Sequence, residues 1–191
     1  MKKKIIITGG LGYIGTELCK LYSGVSWHHK IIVIDNRFIS ERVNQIRNWN
    51  MEFIQGDILD KNLIKKFCED ADVVHHLAGV TDVPRTKSEI SLAQDKKIKE
   101  VGEKGTQNIL DVISNKCKII FPSTHVVYEG IDEVKKDIQE NEKTKPVLSY
   151  STSKAINEDQ LKKSGKNYVI LRLGSVYGYS TDSMRIDIMP N

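Results

Sequence analysis

Apolar residues along this chain come in short β-branched bursts separated by longer stretches with helical spacing. Ile5, Ile6 and Ile7 form an uninterrupted run that stops at Thr8, as expected of a strand covered on both faces of a parallel sheet. Ile31, Ile32, Val33 and Ile34 repeat the pattern up to Asp35. Further strands are predicted over Met51 to Gln55, over Asp72 to Ala78 (DVVHHLA, ending at Gly79), over Lys118 to Phe121 with Pro122 closing it, and over Tyr168 to Leu173. Between these runs the period becomes helical. Ile14, Leu18, Leu21 and Tyr22 mark one face of a helix from Tyr13 to Tyr22, with Gly24 placed to end it. Asp60 is the predicted N-cap of a helix through Leu63, Ile64 and Phe67. The charged region from Ser88 to Asn115 predicts a long amphipathic helix on Ile98, Val101, Ile109, Leu110 and Ile113, broken near Gly102 or Gly105. Tyr150 to Lys163 predicts another helix, residues 36 to 50 a loop with a short helix, and Glu129 to Pro146 a solvated loop. Strands alternate with helices throughout, so the expected fold class is α/β, a doubly wound parallel sheet.

The first strand runs into four glycines within seven residues. Gly10, Gly12 and Gly15 satisfy GxGxxG, while Gly9, Gly12 and Gly15 satisfy GxxGxxG. Either register serves a sharp strand-to-helix turn that brings backbone close to a pyrophosphate, with the amides of the helix start aimed at the phosphates. A tight turn alone also favours glycine. Asp35, at the tip of the second strand and 20 residues beyond Gly15, tips the balance, because a carboxylate there binds the adenosine ribose hydroxyls of NAD. The cofactor-binding candidates from this stretch are Gly9, Gly12, Tyr13, Ile14, Gly15, Asp35 and Asn36. Asp35 favours NAD over NADP by repelling a 2′-phosphate, an effect that nearby Arg37 tempers.

At 191 residues the chain suffices for one well-buried domain and the beginning of another. The expected division is a dinucleotide-binding Rossmann domain over 1–173 and, over 174–191, the start of a truncated substrate-binding region. Its 39% hydrophobic and 28% charged residues are those of an ordinary globular protein. The net charge of +4 is spread along the chain, with no basic run beyond Lys2 to Lys4, so nucleic acid is not an expected partner. No apolar segment approaches membrane-spanning length, and the start has no signal-peptide pattern. Cys19, Cys68 and Cys117 are far apart and odd in number, which points to reduced, buried thiols in a cytoplasmic protein and not to a metal site.

Two clusters carry candidate chemistry. Tyr150 and Lys154 stand four apart on a predicted helix and share a face. An ammonium beside a phenol favours phenolate and so a tyrosine acting as general acid/base. Ser123 and Thr124 follow the fifth strand, at the carboxyl edge that faces the ligand crevice of an open α/β sheet. Each has a plain alternative: Tyr and Lys four apart are common in helices, and Ser-Thr after a strand is often a turn.

With these residues in place, the chain resembles the extended short-chain dehydrogenase/reductase family, in particular its NAD-dependent sugar-nucleotide epimerases and dehydratases. The likeness is carried by TGGLGYIG (8 to 15), Asp35-Asn36, Gly56-Asp57-Ile58, HLAG (76 to 79), PSTHVVY (122 to 128), YSTSK (150 to 154) and LRLGSVYG (171 to 178). The resemblance implies that Asp57 and Ile58 contact the adenine and that Ala78 and Gly79, with Leu77, line the pyrophosphate and nicotinamide side. It further implies that Lys154 holds the nicotinamide ribose, with Ser123 and Tyr150 also at the cofactor. Thr124 orients a sugar hydroxyl, and Tyr150 is the catalytic acid/base. The implied function is epimerisation of a nucleotide-sugar by transient hydride transfer to NAD, in a protein that forms a homodimer at full length. A dehydrogenase, reductase or dehydratase of the same family, or an NAD-binding module without turnover, are the alternatives.

The departures from the family pattern also carry information. Dehydratases of the family follow the threonine with Asp-Glu, where this chain has His125 and Val126; that argues against dehydration. Ser175 replaces the asparagine of RxxNVYG, and Gly102 the asparagine that precedes Gly105-Thr106. His125 is expected to pack or face solvent, and His75 and His76 to be structural. The family continues for more than a hundred further residues, so the chain is expected to be partial. Val169, Ile170, Leu171, Leu173, Ile186, Ile188 and Met189 are then expected to lack cover and to promote self-association.

Overall fold

The computed structural model describes residues 1–81 and 91–178. The expected parallel sheet is present: β1 (Lys4–Thr8), β2 (Lys30–Asp35), β3 (Glu52–Gln55), β4 (Val73–His76), β5 (Lys118–Thr124) and β6 (Asn167–Leu173) lie in the order β3-β2-β1-β4-β5-β6. Every pairing is parallel. The order reverses direction between β1 and β4, which is where an open α/β sheet leaves a crevice at its carboxyl edge.

The isoleucine runs are explained by what covers the two faces. Ile6 joins a cluster with Ile64, Cys68, Ile109, Leu110 and Leu161, whereas Ile5 and Ile7 join one with Cys19, Val43 and Ile46. Alternate residues of one strand therefore enter two different cores. Ile64 and Cys68 belong to α3 (Lys61–Cys68), Ile109 and Leu110 to α5 (Gly105–Val112), and Leu161 to α6 (Ser149–Lys163). On the other face, Cys19 lies on α1 (Tyr13–Ser23), and Val43 and Ile46 on α2 (Ser40–Asn48). Burying each such side chain stabilises by roughly 1.5–3 kcal/mol, so an uninterrupted apolar run is what a strand covered on both faces requires.

Several boundaries differ from expectation. The region of residues 36 to 50 holds a full helix, α2, whose apolar stripe is only Val43 and Ile46. The strand after Asp72 ends at His76, earlier than the apolar run. Pro122 does not close β5, which continues to Thr124. It stands beyond the last residue paired with β4, Ile120, so its missing N–H is not needed on that side. The long helix is broken as expected: α4 (Leu92–Lys99) passes into a π-helical segment (Glu100–Lys104) before α5. A Cβ on Gly102 would lie 2.2 Å from Ser153 Oγ, so this glycine lets the π segment approach α6 closely.

Asp60 caps α3 as predicted, accepting from the amides of Asn62 and Leu63. The three cysteines are buried and unpaired, and burial pushes the Cys19 and Cys68 thiols up to about 12 and that of Cys117 to about 11. No described helix is long and apolar enough to cross a membrane. None of β6 is fully buried, and Leu171 is 44% exposed; Ile186, Ile188 and Met189 lie outside the described residues.

Candidate active site and cofactor cleft

The parallel register brings Thr8, Asp35, Gln55, His76 and Thr124 to the carboxyl ends of five strands. At the centre, the chain leaves β1 through Gly9, whose φ of +71° a side chain would strain and whose Cβ would fall 2.6 Å from the amide nitrogen of Ala78. Gly12 donates its amide to the Gly9 carbonyl at 3.1 Å, and a Cβ on Gly15 would meet that same oxygen at 2.4 Å. Gly9, Gly12 and Gly15 thus form the working turn. Gly10 serves packing instead, since its Cβ would enter Val33.

The turn delivers the chain into α1 with Gly12 as N-cap and no side-chain cap. The first amides of a helix have no partner within it, so those at Tyr13, Ile14 and Gly15 face outward with the positive end of the helix dipole. This glycine cradle, which any Cβ would fill, fits a dinucleotide pyrophosphate. The Tyr13 hydroxyl donates to the carbonyl of Gly178, laying the LRLGSVYG segment beside this helix start. Ala78 stands opposite the cradle, its amide donating to Thr8 Oγ1 at 3.3 Å, with Leu77 half-buried and Gly79 exposed on either side of it.

On the β2 side, buried Asp35 accepts the amide of Leu11 on Oδ2 at 2.9 Å. Its Oδ1 accepts the amide of Arg37 at 3.0 Å and Arg37 Nε at 3.3 Å. Asn36 Nδ2 reaches Asp57 Oδ2 at 3.2 Å, joining the ends of β2 and β3. Ile58, expected at the adenine, turns its side chain into the core against Gly105.

The catalytic candidates converge on the end of β5. Lys154 Nζ donates to the carbonyl of Pro122 at 2.8 Å and lies 4.4 Å from the Phe121 ring centroid and 5.9 Å from that of Tyr150. These rings enclose the ammonium within cation–π range, and burial lowers it from its ordinary 10.5 to about 8. Thr124, two residues beyond Pro122, is buried, and its Oγ1 accepts the amide of Val126 at 3.3 Å. His125 is exposed and donates to the Leu173 carbonyl from Nδ1 at 3.2 Å, so it faces solvent, one of the two placements expected of it.

Ser123 is placed differently from Thr124. Successive strand residues face opposite ways, and its hydroxyl donates to Glu158 Oε1 at 2.6 Å while the residue is 3% exposed. Only its backbone remains for the cleft. Glu158, fully buried, is also held by Arg172 through Nε at 2.9 Å and Nη2 at 2.6 Å, and by Lys162 at 3.3 Å. Burial works to raise the Glu158 carboxyl, but the bonds from Arg172 and Ser123 outweigh it and hold the group below its usual range.

Sequence reading missed Glu158 and Arg172. The available signal was spacing: Glu158 continues the Tyr150–Lys154 row by another four residues. It also missed Glu129, whose carboxylate accepts the amides of Val147 and Leu148 at 2.8 and 2.7 Å and the Ser151 hydroxyl at the start of α6. The segment read as a solvated loop is accordingly pinned: the Gly130 amide donates to the Lys145 carbonyl, the Lys145 amide to the Val127 carbonyl, and the Gln139 and Glu140 carbonyls are held by Tyr128 and Arg172.

His76 is structural, as expected. One ring nitrogen meets Thr8 Oγ1 at 2.9 Å and the other Thr106 Oγ1 at 3.1 Å, tying β4 to the turn strand and to α5. Complete burial, with the Lys154 charge nearby, lowers it to about 3 and keeps the ring neutral. His75 is held by the Tyr22 hydroxyl at 2.8 Å.

Comparison with known proteins agrees with this geometry. The model of the NAD dependent epimerase/dehydratase family matches residues 5–189. The chain is 31% identical to the dTDP-D-glucose 4,6-dehydratase of Dictyostelium discoideum over 92% of its length and 44% of that protein's. It is 30% identical to the putative UDP-glucose 4-epimerase of Methanocaldococcus jannaschii over 93% of its length and 57% of that protein's. The solved structure of the Bordetella bronchiseptica enzyme WbmH in complex with NAD+ superposes with a TM-score of 0.78 at 25% identity, covering 96% of this chain and 58% of that one. The chain spans about half the length of the curated relatives it matches. A glycine cradle, a carboxylate at the end of β2 and a Tyr-Lys row beside Thr124 thus coincide with a match over nearly the whole chain, which belongs to the NAD dependent epimerase/dehydratase family.

Proposed function

We propose that this chain carries the cofactor cleft and acid/base residues of an NAD-dependent epimerase acting on a nucleotide-sugar. The observation that carries the reading is Lys154, seated on the Pro122 carbonyl and over the Tyr150 ring, two residues along β5 from Thr124. Bound NAD supplies a hydride acceptor that can return the hydride to the opposite face of the same carbon. Gly9, Gly12 and Gly15, with the start of α1, hold the pyrophosphate, and the end of β2 at Asp35 and Asn36 lies toward the adenosine ribose. Asp57 and only the backbone of Ile58 stand at the adenine end, Leu77, Ala78 and Gly79 opposite the cradle. Thr124 holds the sugar hydroxyl in place, and Tyr150 takes its proton as the carbon loses hydride and gives it back on return. The Lys154 charge favours the phenolate while its side chain holds the nicotinamide ribose. Dehydration is the second reading, favoured by the similarity to the Dictyostelium protein. Against it, the positions after Thr124 are the exposed His125 and the apolar Val126, neither a carboxylic acid.

The test is turnover of UDP- and dTDP-linked hexoses with NAD, comparing the native protein with Tyr150→Phe. An epimer formed without net NADH is expected, with the variant slower by about a hundredfold or more, the usual scale of general acid–base assistance. Full activity in Tyr150→Phe would remove the assignment. Stoichiometric NADH would replace epimerisation by simple dehydrogenation.

A further inference from the structure

The end of β2 carries more positive charge outward than negative. The Asp35 side chain is 4% exposed and that of Arg37 is 54% exposed, so in this ion pair the carboxylate turns inward and the guanidinium outward. Both Asp35 oxygens already accept protein donors, from Leu11 and from Arg37. Arg37 spends only Nε on the carboxylate; among the described residues its two terminal nitrogens make no hydrogen bond. One of them, Nη2, stands 3.9 Å from the point a Cβ would occupy on Gly12, at the cradle itself. A second guanidinium, from Arg42, donates to the carbonyl of Leu11, the residue whose amide Asp35 accepts.

A lone carboxylate at this point rejects a 2′-phosphate by repulsion, and an arginine nearby accommodates one. Here the carboxylate is neutralised by its own neighbour, and the neighbour keeps a planar pair of donors suited to a phosphate. We infer that Arg37 opens the adenosine end of this cleft to a 2′-phosphate, so that the chain binds NADP as well as NAD. The inference rests on the dinucleotide reading of the cleft and concerns a different end of the cofactor from the proposed chemistry.

Calorimetric titration of the protein with NAD, NADP, AMP and adenosine 2′,5′-bisphosphate tests it without turnover. NAD and NADP are expected to bind within about tenfold of one another. Arg37→Ala should lower the affinity of NADP relative to NAD, and of the bisphosphate relative to AMP, by about tenfold or more, the scale of one charge-assisted hydrogen bond. Arg37→Gln, which keeps more of the side-chain packing, should behave alike. Raising salt should weaken the 2′-phosphorylated ligands more steeply. NADP binding more than about a hundredfold below NAD, or a ratio unchanged by both substitutions, would overturn the inference and leave Arg37 as a counter-ion of Asp35 alone. Binding of none of the four ligands would bring down the dinucleotide reading itself.

Discussion

Lys154 owes its chemistry to enclosure more than to its partner in the row. Two aromatic rings and one carbonyl surround its ammonium, and burial lowers it to about 8. The charge proposed to support a Tyr150 phenolate is therefore present below pH 8 and lost as pH rises through that value, well short of the ordinary 10.5. The pH profile of kcat/KM for the proposed reaction should fall above about pH 8. Lys154→Arg, whose guanidinium stays charged, should lose that limb at whatever rate it retains. A profile flat to pH 10 in the native protein would contradict the role. The i,i+4 spacing was readable from the sequence, but the enclosure was not, because Phe121 and Pro122 arrive from a strand some thirty residues away.

At the scale of elements, α6 is held against the sheet at two points. Glu129 accepts the amides of Val147 and Leu148 just before the helix and the Ser151 hydroxyl in its first turn, and Glu158 is clasped by Arg172 of β6 and by Ser123 of β5. This second point stands one turn from Lys154, so it fixes the height at which Tyr150 and Lys154 meet the end of β5. Removing one member of a buried pair strands the other, typically at about 3–5 kcal/mol, whereas replacing both with apolar residues is often near neutral. Urea unfolding should show Glu158→Leu destabilised by about that amount and the double variant Glu158→Leu/Arg172→Leu recovering most of it. Additive losses would mean the pair does not act as a unit. The i,i+4 contact with Lys162, half exposed, should add little. A reader of the sequence sees a charged helix and a lone arginine in an apolar strand; only their juxtaposition turns them into a clamp.

Across the whole molecule, His76 joins the turn strand, the strand beside it and α5 through two threonines. Its folded-state value of about 3 lies below the ordinary 6.5, so between these values the unfolded chain binds the extra proton. Stability therefore rises with pH across that window and is lost as pH falls from 6.5 toward 3. His75, also lowered by burial, acts in the same direction. The held-down carboxylates, Glu158 and Glu129, add their loss only below their ordinary 4.5. Denaturant midpoints should accordingly begin to drop below pH 6.5, and His76→Gln should flatten the upper part of that slope. An unchanged slope would show that His76 titrates freely.

What the sequence determined by itself was whatever depends on neighbours along the chain. Uninterrupted isoleucine runs mean strands covered on both faces, and their alternation with helical spacing means a parallel sheet. Four glycines within seven residues after a strand mean a tight strand-to-helix turn, though not which three form it, and Asp60 before α3 means a capped start. Tertiary structure alone decided what depends on groups far apart in sequence. Pro122 could remain inside β5 because β4 had already ended beside it. Ser123 was claimed by Glu158 rather than by the cleft, and Asp35 reached the cleft already paired with an outward-facing Arg37. The physical reason is common to all three. Periodicity and backbone conformation are local, whereas burial and charge neutralisation are set by whichever distant element the fold brings alongside.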